Sequence, residues 1–180
     1  MEYAHVYDVL TQARRRLFDW VRPLSQEQYT KQFPFGMGTL RKTLIEIAAV
    51  ELMYTKRLRG DALPPQPGLP PDFPIGETKQ PAFAELERVW TAQAPQTRAI
   101  LAGISDWAQT VTRRIEQGDT VTVSTASKAD IATQMLMHEV HHRAQAMAML
   151  RQLGVAAENL DYISFVVRRQ EYPKDKAPRG

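Results

Sequence analysis

The chain has 180 residues, 23 Lys+Arg against 20 Asp+Glu, a net charge of +3 and no cysteine. With 43% hydrophobic and 24% charged residues it has the balance of an ordinary globular protein, and its length predicts a single domain over residues 1–180. The missing cysteine excludes disulfides, thiolate zinc sites, iron–sulfur clusters and a cysteine nucleophile, so a metal here would take His, Asp, Glu or water.

Helical periodicity dominates from the start. Over residues 2–21, Val6, Val9, Leu10, Ala13, Leu17 and Trp20 recur at helical spacing, and Pro23 ends the run. Residues 33–38, Phe-Pro-Phe-Gly-Met-Gly, read as an ordered loop rich in turn residues. Thr39 is a good N-cap for a second helix over 40–58, with Leu40, Leu44, Ile47, Ala48, Tyr54 and Leu58 on its apolar face and Gly60 as its stop. Residues 61–80 carry Pro64, Pro65, Pro67, Pro70, Pro71 and Pro74 and predict a long surface loop.

A third helix is expected to begin at Pro81 and to end near Gly103, with Phe83, Leu86, Val89, Trp90, Thr97, Ile100 and Leu101 inward and Pro95 inside it. Residues 110–116 and 120–125 alternate in the β manner around Gln117-Gly118-Asp119 and predict a hairpin. Ser127 and Asp130 approximate a capping box for a fourth helix that runs to about Leu153, before Gly154. The segment from Leu160 to Val167 is apolar enough to pack back on the helices, and residues 174–180 read as a frayed end. The fold class is therefore all-α, a four-helix bundle with long connections and a small β-hairpin between helices three and four.

The sequence pI near 9.3 reflects cations scattered in short runs, Arg14-Arg15-Arg16, Arg113-Arg114 and Arg168-Arg169. Nucleic-acid binders gather theirs into a dense stripe, so no nucleic-acid partner is expected. No apolar run approaches the roughly 18–20 residues of a membrane span. The start, Met-Glu-Tyr-Ala-His, lacks the features of a signal peptide, and a cytoplasmic protein is the expectation.

Three of the four histidines, His138, His141 and His142, fall within five positions. Residues four apart stack on one helix face, so His138 and His142 can converge on one metal ion. They share the stripe of Ile131, Met135, Met149 and Leu153, with His141 to its side. Buried imidazoles need partners, and one cation satisfies both. The alternative is a pair of core histidines hydrogen-bonded to neighbours. Residues 138–142 also spell H-E-x-x-H, the zinc-protease signature with Glu139 as base and Glu158 or Glu171 as a formal third ligand. Glu139-x-x-His142 also matches the E-x-x-H half of a diiron motif, a reading that is disfavoured here.

Two segments resemble the DinB-like family of metal-dependent four-helix-bundle enzymes. One is Phe35-Gly36-Met37-Gly38-Thr39-Leu40 through Glu46 to Glu51, closing at Arg57-Leu58-Arg59-Gly60. The other is His138-Glu-Val-His-His142-Arg143-Ala-Gln145, followed by Leu150 to Gly154 and by the Leu160–Phe165 segment. The resemblance implies a three-ligand metal site with two histidines matching His138 and His142. The third family histidine is replaced here by Glu46, and a carboxylate is a competent ligand. The apolar stripe of helix two centres nearer Glu51, which remains the alternative ligand or supporting acceptor.

The resemblance further implies transfer or isomerisation of a small-molecule substrate with a divalent metal, zinc, nickel, iron or manganese, and a low-molecular-weight thiol as cosubstrate. Hydrolysis is a looser implication, and a homodimer is expected. The alternative is a non-catalytic, stress-associated dimeric bundle with a degenerate metal site. By its direction on the helix, Arg143 is expected to pair with a carboxylate of the fold rather than to touch substrate.

Overall fold

The computed structural model describes residues 2–65, 68, 73–76 and 79–167. Pro67, Pro70, Pro71, Arg168, Arg169, Glu171 and the 174–180 end lie outside the described residues.

Among the described residues the structure is mostly helical, in the order α1 (Tyr3–Val21), α2 (Gln26–Thr30), α3 (Leu40–Arg59), α4 (Phe83–Gly103), β1 (Thr110–Gln117), β2 (Thr120–Ser127), α5 (Lys128–Gln152) and α6 (Ile163–Val166). The four long helices fall where periodicity places them. Thr39 caps α3 by accepting from the Lys42 amide, and Gly60 ends it in the left-handed conformation that suits glycine. The Ser127–Asp130 capping box on α5 forms in both directions. Helix α4 starts at Phe83 rather than at the expected Pro81, with Ala82 as its N-cap. The short helix α2 was not anticipated, and the Ser25–Gln28 capping box that nucleates it is visible in the sequence.

The β-strands pair antiparallel with Gln117 opposite Thr120, so Gly118 and Asp119 make a two-residue turn. Each long helix touches two others: α3 packs on α5 and α4, and α1 packs on α4 and α5. The Pro-rich connection is anchored by Phe73 and Ile75, both buried. The C-terminal segment docks only in part. Leu160 and Phe165 join the core, while Tyr162, Ile163, Val166 and Val167 stay exposed.

The apolar interior forms two clusters. One gathers Leu17, Phe18, Leu44, Ile47, Trp90, Met149 and Leu150, and the other Tyr7, Leu10, Leu58, Leu101, Ile131 and Met135. Where one gives way to the other along α1, α3 and α5 stand Arg14, Glu51 and Glu139, all buried. Among the described residues no helix is long and apolar enough to cross a membrane.

Candidate metal centre

Packing of α3 on α5 brings Glu46 to the two histidines. One donor atom each from Glu46, His138 and His142 lies within 4.8 Å of the others, and among the described residues this is the one His/Asp/Glu group so placed. Glu46 Oε1 stands 3.6 Å from His138 Nε2, with side chains 30% and 15% exposed. The His138 and His142 rings meet edge to face, centroids 4.4 Å apart.

The buried stripe expected for these histidines is corrected: both are half-buried, on the shoulder of α5. The core face of the helix is offset from them and carries Met135, Glu139, Arg143 and Ala146. A shoulder position gives an ion both protein ligands and access from outside.

Gln145, one turn after His142, sets its ring. His142 Nδ1 is 2.9 Å from Gln145 Oε1, and that oxygen can only accept, so Nδ1 donates and Nε2 keeps its lone pair. The amide nitrogen of Gln145 donates to His141 Nε2 at 2.9 Å. Burial, with the neighbouring histidines, pushes the His142 imidazole below its ordinary value against the Gln145 hydrogen bond. The shift favours the neutral form a metal needs. The His138 ring beside it holds the Glu46 carboxyl below the usual range against the effect of burial.

Behind Gln145 lies the 33–38 loop. Gly36 has φ +59°, and a β-carbon there would stand 2.8 Å from Gln145 Oε1 and 3.1 Å from its Cδ. The backbone angle favours glycine, and any β-carbon there would push the Gln145 amide aside. The Phe35-Gly36 segment and the His138–Gln145 segment, far apart in sequence, meet in this contact.

Glu51, the alternative ligand, is as buried as its spacing suggests but belongs to another site. It accepts from Tyr7 Oη (2.7 Å), Arg14 Nη2 (2.6 Å), Trp90 Nε1 (2.9 Å) and Thr97 Oγ1 (2.8 Å). Burial pushes its carboxyl up, but Arg14 and these donors outweigh burial and hold it below the usual range. Arg14 also donates to Glu139 Oε2 at 2.6 Å, and its guanidinium lies 4.1 Å from the centroid of the Trp90 ring. Every oxygen of Glu51 is thus occupied, and none is directed at the histidines.

The same network overturns the H-E-x-x-H reading. A protease base must face water beside the ion, whereas Glu139 is 4% exposed and bonded to Arg14. Glu158 is not part of the histidine group, and Glu171 lies outside the described residues. Arg143 turns away from the histidines as expected, its Nη1 3.5 Å from Glu139 Oε1.

Arg14 was missed because it sits in a run of three arginines that reads as surface charge. Its spacing gave the signal, four residues after Leu10 and three before Leu17, on the apolar stripe itself.

The donor set fits a divalent ion. Ligand atoms at about 2.0–2.1 Å in a tetrahedron stand roughly 3.3 Å apart, close to the Glu46–His138 separation. Two imidazoles and one carboxylate compose an open site for zinc or a neighbouring first-row metal. A family model described as the DinB family matches residues 1–174. No curated protein matches the chain.

Proposed function

The chain belongs to the DinB family, whose model spans nearly all of it, and from that premise we propose a divalent-metal-dependent enzyme that uses Glu46, His138 and His142 as its ligands. The convergence of these three side chains across the α3–α5 contact carries the reading. We read the four long helices as one bundle forming a single domain over the whole chain, with the ligands on the shoulder of one helix pair.

Each group has a role in this reading. His142 presents Nε2, oriented by Gln145. His138 presents Nε2 beside the Glu46 carboxylate, whose negative charge offsets part of the charge of an ion. Zinc, nickel, iron(II) and manganese all suit such donors. When bound, the ion supplies Lewis acidity and lowers the pKa of a thiol or water that reaches it. A thiol used in the reaction must arrive with a small molecule, because the chain has none. Transfer or isomerisation with a low-molecular-weight thiol is the reaction class this favours.

The test is cobalt(II) substitution of untagged protein followed by addition of a small thiol. A thiolate-to-cobalt charge-transfer band, lost in His142→Ala, is the expected result. A cobalt spectrum indifferent to thiol would remove the thiol from the reading and leave hydrolysis. Failure to bind cobalt would favour a non-catalytic bundle with a degenerate site.

A further inference from the structure

The C-terminal end of α3 and strand β1 enclose a cavity of about 400 Å³ lined by Arg57, Arg113, Arg114 and Asp61 among others. Two of these charges are already matched. Arg59 reaches across to the Asp61 carboxylate, and Arg114 Nε donates to Glu116 Oε1 at 2.8 Å. Among the described residues no carboxylate pairs with Arg57 or Arg113.

The Nε atoms of both arginines are buried and have no hydrogen-bond partner. The remaining contacts of these side chains are soft. Arg57 lies over the Tyr54 ring at 5.7 Å, and Arg113 Nη1 is 3.3 Å from the Met53 sulfur. Burial pushes Arg57 below the ordinary arginine value, and the charge of Arg113 alongside pushes the same way. Two like charges without a carboxylate partner at one cavity favour an anion between them. A guanidinium fork matches the paired oxygens of a carboxylate or phosphate.

We propose that Arg57 and Arg113 form a binding site for the oxyanion, carboxylate or phosphate, of a small molecule. The site is separate from the histidine group. Arg57 follows Glu46 by eleven residues, which on an α-helix is three turns on the same face and about 16 Å along the axis. An acidic cosubstrate extended along α3 would place its anion on the arginines and its reactive end toward Glu46. That last step rests on the proposed function, whereas the anion site does not.

The experiment titrates untagged, metal-free protein at constant ionic strength with inorganic phosphate in one arm and succinate in the other. Binding is read from the Nε–H nitrogen–proton resonances of the arginines and from the melting temperature. Arg57 and Arg113 resonances should move saturably, and the arm that binds more tightly identifies the anion. Arg57→Gln and Arg113→Gln should each weaken binding about tenfold or more, by loss of charged hydrogen bonds, while Arg88→Gln, at an exposed position of α4, leaves it unchanged. Equal responses in all variants would reduce the effect to general charge screening and overturn the site, as would no response in either arm. Glu46→Ala should bind the anion normally, so loss of the metal centre and loss of the anion site are read separately.

Discussion

Substitution of Gly36 by alanine should weaken metal binding from a position that touches no ligand. The new β-carbon would meet Gln145 Oε1 at 2.8 Å and Cδ at 3.1 Å, with φ held at +59°. The left-handed backbone costs alanine about 1–2 kcal/mol. For a chain of this size that lowers Tm by roughly 2–8 °C. The steric conflict itself is relieved cheaply, because the Gln145 amide is the free end of a flexible side chain. Its rotation, however, takes Oε1 away from His142 Nδ1, now 2.9 Å distant. Loss of such a supporting bond typically weakens metal affinity 10–100-fold.

Competition with a chelating dye, alongside thermal melts, measures both effects. Gln145→Ala should reproduce the affinity loss without the backbone penalty. The double variant should bind no more weakly than either single one, because both remove the same hydrogen bond. A Gly36→Ala protein that melts lower but binds metal like the wild type would refute the link from loop to ligand.

The buried network sets two further expectations. Arg14→Met leaves Glu51 buried without a cation and Glu139 with Arg143 alone, and should cost about 3–5 kcal/mol in urea unfolding; a cost below 1 kcal/mol would mean the carboxylates find other partners. The folded Glu51 carboxyl lies below its ordinary value of 4.5, so its stabilisation is present above that value and is lost as pH falls through the folded one. Urea midpoints between pH 7 and pH 3 should therefore drop more steeply for the wild type than for Glu51→Gln, and parallel slopes would contradict the assignment.

The helices were legible because their apolar residues, caps and stops agree: Thr39, Gly60, Ser127 and Asp130 each do in the structure what their chemistry predicts. The His138–His142 pair was legible from spacing alone. Glu46 was not. Periodicity favours Glu51, and only the family resemblance pointed one and a half turns earlier. Burial and ligation are different properties here. The most buried carboxylate is the one saturated by Arg14, Tyr7, Trp90 and Thr97, and the half-buried Glu46 is the one left to face the histidines. The Gly36–Gln145 contact was beyond sequence reasoning, since it depends on how the 33–38 loop docks against α5.

The metal content of untagged, reconstituted protein is the most direct measurement. Elemental analysis should give one ion per chain for the wild type and for folded Glu51→Gln, and far less than one for Glu46→Ala and His138→Ala. A wild-type value far below one, or a Glu46→Ala protein that holds its metal while Glu51→Gln loses it, would contradict the assignment of Glu46, His138 and His142 as the ligands.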